Sequence, residues 1–193
     1  MKLKSIVALL VSILFIAVSA VIAMANGASG KMLYVTNSGN HTVSTVDIST
    51  GKVVNTLRVG VWPAGIEIDA ATGRAYVLNS SEGDSTVSVI DLKSNSIVAT
   101  VKVGIGPMSI AIDSANGLGY VTDTEEFKDG KNLSHTISII DLKTNKVLKQ
   151  VDVGVGPFDI ELAGKNMFVS NSADWTVAFF STTDHKVVKG STK

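Results

Sequence analysis

Cysteine is missing from all 193 residues of the sequence. This absence excludes disulfide bonds, thiol catalysis, iron–sulfur clusters and covalent haem attachment. An excess of one charge is also missing, because 17 Lys and Arg residues balance 17 Asp and Glu residues. Proteins that bind nucleic acid carry a basic stripe or patch on one face. The neutral balance therefore predicts no nucleic-acid partner.

The sequence also lacks helical periodicity after Gly30, and it lacks the common catalytic motifs. It has no nucleophile elbow, zinc-protease helix, phosphate loop or dinucleotide fingerprint. We therefore assign no catalytic residue and lean against an enzyme.

The N-terminus has the layout of an export segment. Met1–Lys4 is basic, residues 5–25 are uncharged and mostly apolar, and Ala23-Met24-Ala25 fits a cleavage site. The apolar run is also long enough to span a bilayer. We predict that residues 1–25 form a signal peptide or an N-terminal membrane anchor, followed by a short linker over residues 26–30. Both alternatives predict an exported protein that is periplasmic, secreted or on the cell surface, and that meets the membrane only if this segment stays uncleaved.

Residues 31–193 are built from a repeat of four short segments. The first segment recurs as Tyr34-Val35-Thr36-Asn37, Tyr76-Val77-Leu78-Asn79, Tyr120-Val121-Thr122-Asp123 and Phe168-Val169-Ser170-Asn171. The second recurs at residues 42–47, 86–91, 136–141 and 176–181, and the third at 52–59, 96–103 and 146–153. The fourth begins with a proline at Pro63, Pro107 and Pro157.

Each segment is short, rich in β-branched residues and alternates in polarity, which predicts β-strands. Turn residues connect them, so neighbouring strands should be antiparallel. Four antiparallel strands repeated every 40–50 residues are typical of propeller blades. We predict an all-β fold, a β-propeller of about four antiparallel four-stranded blades.

The Tyr-Val-Thr-Asn segment, the Thr-Val-Ser-x-Ile-Asp segment and the Val-Gly-x-x-Pro link resemble the YVTN-type β-propeller repeats. These repeats occur in archaeal surface-layer proteins and exported bacterial propeller proteins. The resemblance implies a ring of about seven blades, and this sequence holds four at most. The first repeat also lacks a Pro-led segment, and residues 26–30 make a poor substitute strand. Three alternatives remain: a small closed ring, an open arc completed by self-association, or a piece of a longer protein.

Ligands of propellers usually bind at the face that carries the Val-Gly-x-x-Pro links. We expect Trp62, Met108 and Phe158 to cluster there near the axis, as a plug or as an apolar ligand site. The acidic residues Glu67, Asp159 and Glu161 fall on the Pro-led strands. Converging carboxylates could hold a hard cation such as Ca²⁺, although such residues more often face water, so no cofactor is expected and a metal site stays unassigned.

Other polar residues have simpler interpretations. Asp47, Asp91 and Asp141 each end a strand before a turn, and we expect them to bind the turn backbone. His41 and His135 occupy equivalent turns in different repeats, and we interpret both as surface residues. The charged insertion over residues 124–134 is a candidate recognition loop, or else a tolerated surface loop.

These patterns favour an exported, non-catalytic propeller that acts as an interaction or scaffold protein for a protein or cell-surface ligand. The alternative is an enzyme or redox-partner propeller, similar to quinoproteins or lactonases, with a cation at the axis.

Overall fold

The computed structural model describes residues 22–27, 30–81, 83–124, 127–128, 131–132, 134–184 and 186–190. In this part of the chain, strands and turns account for nearly all of the structure, and one 3-10 turn at Ser38–Asn40 is the sole helical element. No helix in the described ranges is long and apolar enough to cross a membrane.

The strands form four antiparallel sheets of four strands each, and in each sheet the strands lie side by side in chain order. The first blade contains β1 (Ile22–Gly27), β2 (Gly30–Asn37), β3 (Thr42–Asp47) and β4 (Lys52–Arg58). The second contains β5 (Pro63–Asp69), β6 (Arg74–Ser81), β7 (Asp84–Asp91) and β8 (Ser96–Lys102).

The third blade contains β9 (Pro107–Asp113), β10 (Leu118–Asp123), β13 (Thr136–Asp141) and β14 (Lys146–Asp152). The short strands β11 (Phe127–Lys128) and β12 (Lys131–Asn132) pair with each other inside the predicted insertion. The fourth blade contains β15 (Pro157–Ala163), β16 (Asn166–Asn171), β17 (Thr176–Ser181) and β18 (Val187–Gly190).

The same register recurs in every blade. Tyr34 faces Thr45, Tyr76 faces Val89, Tyr120 faces Ile139 and Phe168 faces Phe179 across the two middle strands. Turn residues with positive φ support the connections after the third strand, among them Gly51, Asn95 and Asn145. Glycine and asparagine tolerate this left-handed region best. The predicted meander of short strands is therefore confirmed.

Apolar side chains between neighbouring blades form the core. One face of each blade carries Tyr34 or its equivalent, and we call it the aromatic face; the opposite face carries Val35 or its equivalent, and we call it the valine face. The aromatic face of each blade packs on the valine face of the next. The pairs that share a cluster are Tyr34 and Val77, Tyr76 and Val121, and Tyr120 and Val169. Burying one such side chain contributes about 1.5–3 kcal/mol. Blades that are apolar on both faces are thus held by stacking rather than by covalent links.

The innermost strands are the first of each blade, and they pack in the order β1, β5, β9 and β15. Within the described ranges, β15 and β1 do not pack as neighbours. The four blades in the described part of the chain therefore form an open arc, which agrees with the predicted fold class.

The prediction that the first repeat lacks an inner strand is wrong. Ile22–Gly27 pairs antiparallel with β2, and the register runs from Ile22 opposite Val35 to Gly27 opposite Gly30. This strand lacks the leading proline of its equivalents and is rich in alanine, which has a low strand propensity. Tertiary pairing overrides that propensity, so residues 26 and 27 of the predicted linker end β1, and residue 30 begins β2.

The predicted signal peptide or anchor over residues 1–25 lies outside the described residues, apart from residues 22–25 in β1. Its assignment stays a prediction.

Candidate functional site

A groove of about 380 Å³ runs along the inner strands of the second, third and fourth blades. Apart from Leu78 on β6, its lining residues lie on β5, β9 and β15, and they include Glu67, Met108, Phe158, Asp159 and Glu161. The repeat builds this groove because each of these three blades turns its Pro-led strand toward the axis. Five of the six predicted site residues are therefore brought to one surface.

Trp62, the sixth predicted residue, is not among the residues that line the groove. The residue equivalent to Met108 and Phe158 is Ala64, one position after Pro63. The prediction that Trp62 clusters with Met108 and Phe158 was two residues out of register, because the aromatic side chain was weighted above the alignment of the prolines.

Apolar and acidic side chains meet in the groove. Phe158 remains 48% exposed and Met108 is half-buried, so both offer apolar surface to a ligand. No Lys or Arg is among the described residues that line the groove. A neutral protein thus carries a locally negative surface along its axis.

Glu67 and Glu161 interact across the third blade. Both line a smaller cavity of about 170 Å³ together with Ala111, which occupies the equivalent position between them. Burial raises the pKa of Glu67, and the nearby charge of Glu161 raises it further. A positive group bound between them would relieve this repulsion.

Asp159 is held in place by hydrogen bonds. Its Oδ1 accepts from the Ser109 hydroxyl at 2.7 Å and from the backbone N–H of Ile160 at 3.0 Å. Its own backbone N–H donates to the Ser170 hydroxyl at 3.1 Å. The carboxylate therefore links the inner strands of the third and fourth blades, with its position fixed at the groove.

The cation site considered for Glu67, Asp159 and Glu161 lacks a complete ligand set. In the described part of the chain, no group of three or more His, Cys, Asp or Glu residues could hold a metal ion. Ca²⁺ prefers six to eight oxygen ligands. The carboxylates of Glu67 and Glu161 can bind such an ion only if water or backbone oxygens supply the remaining ligands.

Trp62 has an unusual backbone. Its φ is 58°, in the left-handed region that its equivalents Gly106 and Gly156 occupy as glycines. Hydrogen bonds hold it there, because its N–H donates to His41 Nδ1 at 3.1 Å and its carbonyl accepts from the Ser80 N–H at 3.0 Å. The sequence contains this information, because residues 59–63 are Val-Gly-Val-Trp-Pro where residues 103–107 are Val-Gly-Ile-Gly-Pro. The prediction from sequence did not use this difference.

His41 and His135 serve separate roles in separate blades. His41 accepts the Trp62 hydrogen bond, whereas His135 lies 3.2 Å from Asp152 at the exposed side of the third blade. No metal-binding cluster includes either of them in the described ranges.

The strand-ending aspartates bind their turns as predicted. Asp47 Oδ1 accepts from the backbone N–H groups of Ser49 and Thr50, and Asp91 and Asp141 make the equivalent contacts. The Ser49 hydroxyl donates to Asp47 as well and lowers its pKa most, and the backbone hydrogen bonds lower the pKa of all three carboxyls. Their structural role is confirmed.

Asp123 is the buried titratable group that the sequence reasoning missed. It takes the place of Asn37, Asn79 and Asn171, whose amides donate to hydroxyls of the neighbouring strand. Asp123 instead accepts from Thr136, Ser138 and Gln150. Burial raises the pKa of Asp123 to about 6, although these hydrogen bonds oppose the rise.

The side chain at this position also explains the glycine of the Val-Gly-x-x-Pro link. A Cβ atom at Gly104 would overlap the Asp123 side chain, and one at Gly60 would overlap Asn79. These glycines make room for the Asn or Asp side chain.

The chain is similar to several solved β-propeller-like structures. The match to Kuenenia stuttgartiensis hydrazine synthase has a TM-score of 0.77 and 22% identity, and it covers 93% of this chain and 51% of that chain. A functionally unknown protein from Desulfotomaculum acetoxidans matches with a TM-score of 0.69 and 15% identity, over 89% of this chain and 55% of that one.

Dihydro-heme d1 dehydrogenase NirN, in complex with DHE, matches with a TM-score of 0.66 and 14% identity, over 88% of this chain and 37% of that chain. The chain thus spans about half or less of the length of these proteins. Identities this low show the propeller fold alone. No protein-family model and no curated protein matches the sequence, so the resemblance to the YVTN-type repeats stays a prediction.

Proposed function

We propose that this protein is an exported, non-catalytic β-propeller that binds a protein or cell-surface ligand in its axial groove. The observation that carries this proposal is the lining of the groove. Met108 and Phe158 offer apolar surface, and the carboxylates of Glu67, Asp159 and Glu161 lie beside them without a basic side chain among the described lining residues. The export segment predicted at the N-terminus supports a role outside the cytoplasm.

The groove favours a ligand that is both apolar and positively charged. A peptide segment with an apolar residue next to Lys or Arg would cover Phe158 and pair with Glu67 or Glu161. Each partly exposed charge pair contributes about 0.2–1 kcal/mol. Several such contacts with modest apolar burial predict a moderate affinity that weakens as salt is added.

The test uses a labelled ten-residue peptide of Gly-Leu-Lys repeats and its Gly-Leu-Glu counterpart, with binding measured by fluorescence anisotropy. We expect the Lys peptide to bind and the Glu peptide not to bind. The double substitution Glu67→Gln and Glu161→Gln should weaken binding of the Lys peptide about 3- to 10-fold, which follows from the energy of exposed ion pairs. Asp152→Asn, which removes an exposed carboxylate from the outer strand β14, is the matched control and should leave binding unchanged. Equal binding of both peptides would contradict the proposal.

The same site predicts a pH dependence. Because burial and the charge of Glu161 raise the pKa of Glu67, this carboxyl gains its charge at a higher pH than an ordinary Glu. Binding of the Lys peptide should therefore keep strengthening as the pH rises above 4.5, and Glu67→Gln should flatten that part of the profile.

A second candidate is an enzyme or redox-partner propeller with a cation at the axis. The closeness of Glu67 and Glu161 in one cavity favours it, and two of the similar solved structures have the names of enzymes. Equilibrium dialysis against Ca²⁺ separates the candidates. Stoichiometric binding that Glu67→Ala and Glu161→Ala abolish, and that Asp152→Ala retains, would favour the cation site over the peptide groove.

A further inference from the structure

The aromatic face of a blade carries three apolar or small side chains at fixed positions of its middle strands. In the first three blades the next blade covers this face, and all nine side chains are buried: Tyr34, Val43, Thr45, Tyr76, Val87, Val89, Tyr120, Ile137 and Ile139. The repeat register defines this face independently of the residue types.

The fourth blade has the same face with nothing of the described chain stacked on it. The equivalent residues are Phe168, Val177 and Phe179, and all three are half-buried rather than buried. The rings of Phe168 and Phe179 meet edge to face with centroids 5.0 Å apart. The face therefore keeps the apolar, ordered surface on which a blade stacks in the other three positions.

The surface that covers this face is also repeated. Val77, Val121 and Val169 lie on the valine face of the second, third and fourth blades, and each shares a cluster with the aromatic face before it. Val43 accompanies Val77, Val87 accompanies Val121, and Ile137 accompanies Val169. The first blade carries Val35 at the equivalent position, with no described blade before it.

The two ends of the arc thus hold the two halves of one interface, which is formed three times inside the chain. We propose that the fourth blade of one copy stacks on the first blade of a second copy, and that the reciprocal contact closes the ring. Two such head-to-tail contacts are related by a two-fold axis, so the assembly stops at two copies and eight blades.

The test uses the absence of native cysteine. By analogy with the three internal pairs, Val177 of one copy should lie beside Val35 of the other. Two single-cysteine variants, Val35→Cys and Val177→Cys, are purified, mixed and oxidised. We expect a disulfide-linked pair of chains from the mixture and none from either variant alone.

The matched control is Val54→Cys, because Val54 is 55% exposed on the outer strand β4 and belongs to none of the apolar clusters between the described blades. Mixed with Val177→Cys, it should give no linked product. If Val54→Cys cross-links to Val177→Cys as readily as Val35→Cys does, the contact is non-specific. A double variant, Val35→Cys with Val177→Cys, is oxidised as well, and a disulfide within one chain would show that the chain closes its own ring. Both results overturn the proposal.

Light scattering on the unmodified protein gives a second measurement that does not depend on a variant. We expect twice the mass of one chain, and Phe179→Asp should halve it while the far-ultraviolet circular dichroism stays that of a β protein. A single-chain mass for the unmodified protein over the micromolar range would overturn the proposal.

Discussion

Replacing Asp123 by Asn should stabilise the protein at neutral pH. Asp123 is 1% exposed and its pKa in the folded protein is about 6, compared with 3.8 for an ordinary Asp. A carboxyl whose pKa is raised by folding contributes its stability below the unfolded pKa and loses it as the pH rises through the folded pKa. The rise corresponds to at most about 3 kcal/mol of unfolding free energy above pH 6.

Asparagine fits this position because three other repeats already use it. The amides of Asn37 and Asn79 donate to the hydroxyls of a Thr and a Ser on the next strand, and Thr136 and Ser138 are the equivalents beside Asp123. The amide carbonyl can accept from Gln150 as the carboxylate does. The substitution removes the buried charge and keeps the hydrogen bonds.

The assay is urea unfolding of both proteins at pH 4, 6 and 7.5. Because lowered pKa values elsewhere, such as that of Asp69, give the opposite pH dependence, the informative quantity is the difference between the variant and the unmodified protein. We expect this difference to grow by about 2–3 kcal/mol from pH 4 to pH 7.5. The reciprocal variant Asn79→Asp should lose stability over the same range. A difference that is independent of pH would refute the reasoning.

Three further predictions concern the backbone and the stacking of blades. Gly104→Ala should cost about 1–3 kcal/mol of unfolding free energy, because its methyl group would overlap Asp123. Gly39→Ala is the control and should change the unfolding free energy little, because a Cβ atom there meets nothing within 4 Å. Trp62→Gly should raise the melting temperature, because glycine adopts the left-handed backbone conformation without the strain of about 1–2 kcal/mol that tryptophan carries. The greater freedom of glycine in the unfolded chain offsets about 0.5–1 kcal/mol of this gain. A lower melting temperature would contradict the prediction. Tyr120→Ala should cost about 3–5 kcal/mol in urea unfolding, because it empties the core between the third and fourth blades, and a loss below 1 kcal/mol would contradict the stacking described.

The repeat made most of the fold predictable. Alternating polarity and turn residues located strands such as Thr86–Asp91 and Ser96–Val103 to within two residues of their observed bounds. The Pro-led segments identified the inner strands and hence the residues that face the axis. Periodicity works here because each blade reuses one register, so an error in one copy is corrected by the others.

What departs from the repeat was harder to predict. Strand β1 keeps an isoleucine at the position of its equivalents, Ile22 opposite Val35, but it lacks their leading proline and begins inside the predicted export segment, which concealed it. Trp62 was placed in the groove because of its side chain, although its alignment with Gly106 and Gly156 indicated a turn conformation. The burial of Asp123 depends on the glycine of a neighbouring link, a contact between segments that no pattern within one strand reveals.

The closeness of Glu67 and Glu161 could be predicted only in part. Their equivalence in the repeat indicated that both face the axis, and the structure brings them into one cavity. Their mutual repulsion depends on how tightly the inner strands converge, and this curvature is set by packing between blades.

The most direct test of the central claim is a titration of the ¹⁵N-labelled protein with the Gly-Leu-Lys peptide, followed by amide chemical shifts. Binding in the axial groove predicts that the shifted amides cluster on the inner strands, at residues 64–67, 108–110 and 158–161. The Gly-Leu-Glu peptide should leave those amides unchanged. Shifts confined to the insertion at residues 124–134 or to the outer strands β4, β8 and β14 would contradict the account.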